Sequence, residues 1–150
     1  MTEQTPATVT LRRTDRSLPI ALLRAREAVM VPVREMLARS RISEQKWRVL
    51  RVLDESGPIE QTVIAERACL LLPSLTRIVR AMEADGLLVR AQDDRDRRKS
   101  MVSITDRGRR LIAEHAAESN EIFARLEEAF GSDDLTRLLD LLEKLRDTRF

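Results

Sequence analysis

The chain has 150 residues, of which 35% are charged and 43% apolar, with four glycines and five prolines. That length fits one domain with a buried core, and the composition excludes a disordered or fibrous chain in favour of a helix-rich one. The formal net charge of +2 hides a gradient: residues 1–59 carry 11 basic against 7 acidic side chains, residues 60–110 carry 11 against 8, and residues 111–150 carry 5 against 10. A basic front and an acidic tail predict a polyanionic partner for part of the surface. Cys69 is the single cysteine, so no internal disulfide can form, which fits a reducing cytoplasm. No signal peptide and no apolar run of membrane-spanning length is present, so a cytoplasmic protein without a membrane partner is expected.

Residues 1–16 are polar, with Arg12, Arg13 and Arg16, and read as a flexible arm. From Ser17, Leu23, Met30, Val33 and Leu37 recur at helical spacing, with Pro32 expected to kink the helix by removing one backbone bond. Ser43 is placed to cap a second helix striped by Trp47, Val49, Leu50 and Leu53, which Ser56-Gly57-Pro58 ends. A short helix over about 60–69 follows, with Val63, Ile64 and Ala68 on one side. The next runs from about Pro73 to Asp85, with Leu75, Ile78, Val79 and Met82 inward. Beyond Gly86 the period turns extended. Leu87–Ala91 and Met101–Ile104 predict two strands around the charged turn Asp93–Arg98. Thr105 is placed to cap a long helix to about Phe130. Gly131 ends it, and Ser132 is expected to cap a last helix with Asp133 and Asp134 at its positive end.

Two successive short helices, the second with outward polar and basic groups, predict a helix-turn-helix. Pro73, Ser74, Thr76, Arg77 and Arg80 would enter the major groove. Arginine there can bond guanine O6 and N7 bidentately. In the hairpin tip, Arg95, Arg97, Arg98 and Lys99 alternate with Asp93, Asp94 and Asp96. The acids, Asp96 among them, can brace some cations while others reach phosphate or a narrow minor groove. Either stretch alone also reads as a solvated polar face; their succession favours DNA.

The run Leu75-Thr76-Arg77-Ile78-Val79-Arg80-Ala81-Met82-Glu83-Ala84-Asp85-Gly86-Leu87, then Asp93, Arg95, Asp96 and Arg98 in a D-x-R-D-x-R pattern, then Thr105-Asp106-Arg107-Gly108 resembles the MarR family. The likeness covers about residues 18–147. It implies a mainly α fold with a small β-hairpin wing: a winged helix-turn-helix lobe over 43–109, with 17–42 and 110–150 as dimerisation helices of one domain over 17–150. Ile20–Ala28, Gln45–Arg51, Arg67-Ala68-Cys69 and Pro73–Thr76 further resemble regulators of homoprotocatechuate (4-hydroxyphenylacetate) degradation operons. Two departures stand out. Leu72 precedes Pro73 where a capping polar or basic residue is common, and Lys46 replaces a usual glutamine.

The family's dimers join through their first and last helices. That implies roles for Leu23, Leu135, Leu138, Leu139 and Leu142, and the residues agree independently: the last helix carries five leucines, Leu145 included, at three-to-four spacing. A homodimer would address a pseudo-palindromic double-stranded site with two recognition helices. The resemblance further implies a small aromatic carboxylate effector, bound between the dimer helices and the DNA-binding lobe. Arg24, Arg26, Trp47 and Arg48 are the cations and apolar wall near that junction. Trp47 as plain core and the arginines as surface ion pairs is the competing reading.

Cys69 lies in the apolar run Ala68–Leu72 and reads as buried packing rather than an oxidant sensor, and His115 as an interface residue. No catalytic residue, cofactor or metal site is expected: phosphate-loop, zinc and nucleophile-elbow motifs are all missing. The expected function is therefore a sequence-specific DNA-binding repressor of an aromatic-acid catabolic operon, nucleoid-associated when bound in a bacterial cytoplasm. The alternative is a helical protein-interaction module without specific DNA binding.

Overall fold

The computed structural model describes residues 9–150. The predicted arm falls partly outside them; its described end holds one 3-10 turn, Thr14–Arg16. The chain forms two compact units that divide between Pro32 and Val33. The first contains most of helix α1 (Leu18–Ala38), which runs through Pro32 without a break. Leu18, Leu22, Leu23 and Val31 of this unit are exposed.

The second unit takes up the end of α1 and continues with α2 (Glu44–Ser56), β1 (Ile59–Glu60), α3 (Gln61–Arg67), α4 (Leu72–Ala84), β2 (Leu88–Gln92), β3 (Ser100–Ile104), α5 (Asp106–Phe130) and α6 (Ser132–Asp147). Its core is the sum of the helical stripes: Met36, Leu37, Val49, Leu50, Leu53, Ile64, Leu75, Val79 and Met82 are buried against Leu88 and Val102 of the sheet. Ser43 caps α2 by accepting from the Lys46 amide at 3.2 Å, and Gly57, at φ 69, closes it.

The structure departs from the sequence-based expectation in the sheet, at the start of α6 and at Cys69. The sheet has three strands, not two. β1 pairs antiparallel with β3 (Ile59 opposite Val102), and β3 pairs with β2 (Leu88 opposite Ile104). Two residues beyond Pro58 are too few to show alternation, so β1 exists only through its partner. Ser132 does not cap α6. Gly131 holds that position, and the Ser132 hydroxyl donates to Glu127 Oε1 at 2.8 Å. Cys69 is exposed, not packed. α3 ends in a Schellman motif, with Leu70 N–H on Ala65 O at 2.9 Å and Cys69 N–H on Glu66 O at 3.2 Å. The motif holds Cys69 at φ 52, in the left-handed region, and turns its side chain out of the apolar run.

Thr105 fastens the lobe to the long helix. Its hydroxyl accepts from the Gly108 amide at 3.1 Å, capping α5, and donates to Gly86 O at 2.6 Å. Its own amide donates to Leu87 O at 3.1 Å. One residue thus ties the end of α4, the start of β2 and the start of α5.

Candidate nucleic-acid interface

α3 and α4 are joined by the Cys69 turn, and the β2–β3 hairpin follows on the same lobe, the order of a winged helix-turn-helix. α4 starts one residue earlier than predicted. Leu71 is its N-cap, contributes no side-chain hydrogen bond, and is followed by Leu72 and Pro73. Pro73, Arg77 and Arg80 are exposed, while Ser74 and Thr76 are half-buried. The Thr76 hydroxyl donates to Leu72 O at 3.0 Å, so its proton stays on the helix and it faces other groups as an acceptor. Ile78 is half-buried; Leu75, Val79 and Met82 carry the inward face.

The wing tip is built from two successive Asx turns. Asp93 Oδ1 accepts from the Arg95 amide at 3.0 Å, and Asp96 Oδ1 accepts from the Arg98 amide at 3.0 Å. The period of the D-x-R-D-x-R pattern is therefore the period of the turn: each aspartate caps the arginine two residues on. The Asp93 amide donates to Lys99 O at 3.0 Å and closes the loop. The Arg98 amide, then its guanidinium, hold Asp96 below the usual carboxylate range, so the cap stays ionised at neutral pH.

This geometry sorts the predicted wing cations. Arg98 Nε is 3.2 Å from Asp96 Oδ1, and Lys99 Nζ is 3.1 Å from Glu60 Oε1. The hydrogen bond to Glu60 raises the Lys99 pKa. Among the described residues the Arg95 and Arg97 side chains have no carboxylate partner, and neither do Arg77 and Arg80. Two positioning pairs escaped the sequence reading. Glu83 of α4 takes the Arg90 guanidinium of β2 through Nη2 at 3.0 Å and Nε at 3.2 Å, and accepts the Arg90 amide at 3.1 Å. The side-chain hydrogen bonds hold Glu83 low and Arg90 high in pKa. The Glu60–Lys99 pair ties the wing to β1. Opposite charges seven apart across Asp85-Gly86 could have signalled the first pair; the second required knowledge of β1.

The predicted effector residues fall in different units. Arg24 and Arg26 lie in the first and are exposed. Trp47 and Arg48 lie in the second. Trp47 is buried, with its ring edge-on to His115 at a centroid distance of 5.8 Å. His115 is only 4% exposed, and its Nε2 meets Ser40 Oγ at 2.8 Å. Arg48 Nε is buried without a hydrogen-bond partner among the described residues. Of the predicted dimerisation leucines, Leu23, Leu138, Leu139 and Leu142 are exposed and Leu135 is half-buried. No described helix is long and apolar enough to cross a membrane, and no metal-binding cluster occurs among the described residues.

The sequence profile of the MarR family matches residues 42–100, from the end of the α1–α2 turn to the first residue of β3. The homoprotocatechuate degradative operon repressor of Escherichia coli is 40% identical over 128 residues, 85% of this chain and 86% of that protein. The crystal structure of NadR in complex with 4-hydroxyphenylacetate is 36% identical, covers 87% of this chain and 95% of its own, and superposes with a TM-score of 0.77. The transcriptional repressor CouR, bound to a 23-mer DNA duplex, is 28% identical over 92% of this chain and 98% of its own, with a TM-score of 0.79.

Proposed function

The chain belongs to the MarR family of winged helix-turn-helix regulators, and from that premise we propose that it is a dimeric, cytoplasmic, sequence-specific repressor of an aromatic-acid catabolic operon, released by a small aromatic carboxylate. The observation that carries the DNA-binding half is electrostatic. Among the described residues, Arg77 and Arg80 on α4 and Arg95 and Arg97 on the wing stand without carboxylate partners on a lobe whose other wing cations are paired. Unpaired guanidinium groups on a recognition helix and its wing suit base edges and phosphates. Pro73, Ser74 and Thr76 line the entry of the helix. Arg98, Lys99 and Asp96 hold the wing in shape and leave Arg95 and Arg97 to the backbone of the duplex.

The effector half rests on two supports. The E. coli relative is a repressor of a homoprotocatechuate degradative operon, and NadR takes 4-hydroxyphenylacetate. In this chain, Arg48 has a buried guanidinium nitrogen without a hydrogen bond among the described residues, a donor that a carboxylate would satisfy. Ligand release then works by population shift: the acid favours a dimer whose recognition helices no longer match the groove spacing.

The deciding experiment titrates the protein on DNA from upstream of its own gene, with and without 4-hydroxyphenylacetate and its dihydroxy analogue. Specific binding released by one of the acids is expected. Specific binding indifferent to both would remove the effector assignment, and binding no tighter than to random DNA at low and moderate salt would leave a protein-interaction module. Within that assay, Arg77→Ala should cost about 1–3 kcal/mol on the specific site and relax its sequence choice. An equal loss on specific and random duplexes would show that Arg77 reads no base.

A further inference from the structure

The leading end of α4 is apolar where a groove-reading helix needs contacts. Leu71 is 77% exposed and Leu72 44% exposed, and the exposed Pro73 follows. None of the three offers a side-chain hydrogen bond, and the Thr76 proton one turn on is spent on Leu72 O. Leu72 and Thr76 share a groove with Arg98, Lys99 and Glu60, so Leu72, which follows Leu71 directly, sits beside the wing of the proposed DNA face. Arg77, Arg80, Arg95 and Arg97 of the same lobe, without carboxylate partners among the described residues, make a polyanion the fitting occupant and an apolar protein partner a poor one.

In the major groove the apolar feature of a base edge is the C5 methyl of thymine. We propose that Leu71 and Leu72 are specificity-determining residues that read thymine methyl groups. The operator would then carry thymine in each half-site where the start of α4 enters the groove. This rests on the proposed DNA-binding function. It also gives the chain a major-groove preference for thymine that its arginines do not supply, since guanidinium groups there address guanine and phosphate.

Deoxyuridine tests this directly, because it removes the methyl and leaves the base pairing intact. On the bound upstream duplex, replacing single thymines by deoxyuridine should lower the affinity of the unaltered protein about fourfold at one or two positions per half-site, the worth of one buried methyl-sized group. Leu71→Ala and Leu72→Ala, both at exposed positions and so expected to keep the fold, should bind the thymine duplex more weakly. They should also lose the difference between thymine and uracil at those positions, while Arg77→Ala keeps it. Specific binding insensitive to every deoxyuridine would overturn the inference and leave the regulator intact. Methyl reading is equally overturned if the leucine variants lose equal affinity on both duplexes, or if they change the sedimentation of the free protein, which would make this face a contact between copies. Failure to bind any specific duplex would instead strike the proposed regulator function itself.

Discussion

Gly108→Ala is expected to destabilise the lobe by about 3 kcal/mol, although alanine is the better helix former by about 1 kcal/mol. A Cβ at position 108 would press on the backbone oxygen of Leu87 closer than real Cβ atoms approach, and would lie 2.6 Å from Ile104 Cγ1. The oxygen belongs to the peptide that also accepts the Thr105 amide, so it cannot step aside without opening the α4–β2–α5 junction. Gly108 therefore closes the T-x-x-G pattern for lack of a side chain, not for backbone freedom. Thermal unfolding should show a midpoint lower by roughly 10 °C. A shortened side chain at Ile104 should not restore it, because the nearer obstacle is backbone. A midpoint equal to or above that of the unaltered protein would mean that the junction yields without cost, and that this glycine has no steric role.

The same junction shows what a sequence discloses. Thr105 and Gly108 were legible as a helix start because capping is local chemistry: one hydroxyl meets an amide three residues on. Ser43, Gly57 and Gly131 were legible for the same reason, and the wing emerged from the change of period after Gly86. What stayed hidden depends on residues distant in sequence. β1 is defined by its pairing to β3, some forty positions on, and the tie from Lys99 to Glu60 exists only because of that pairing. Cys69 misled because an apolar run says nothing about which member occupies the left-handed position of a turn. The sequence marks the wing aspartates as braces for arginine side chains. Asp96 does brace Arg98, but both aspartates first cap backbone amides, a role that the spacing alone also specifies.

Leu138→Glu combined with Leu142→Glu should convert the protein to a folded monomer and abolish tight operator binding. α6 has no buried residue; Leu138 is 40% and Leu139 54% exposed, and the stripe continues through Leu142 and Leu145. An amphipathic helix at the end of a lobe that already has a core gains its burial from a second copy. Each leucine so buried contributes about 1.5–3 kcal/mol, and a twofold interface counts every substitution twice. Two substitutions thus remove about 6 kcal/mol or more before the cost of burying carboxylates, about four orders of magnitude in dimer dissociation. The lobe itself should survive, since neither side chain reaches its core; circular dichroism should keep the helical signal while sedimentation halves the mass. DNA affinity should then fall to that of a single half-site, because the second recognition helix no longer arrives at the high local concentration that a dimer provides. A variant that stays dimeric would place the interface elsewhere. A monomeric variant that binds the full operator as tightly as before would show that one lobe suffices, and would remove the dimer from the mechanism of repression.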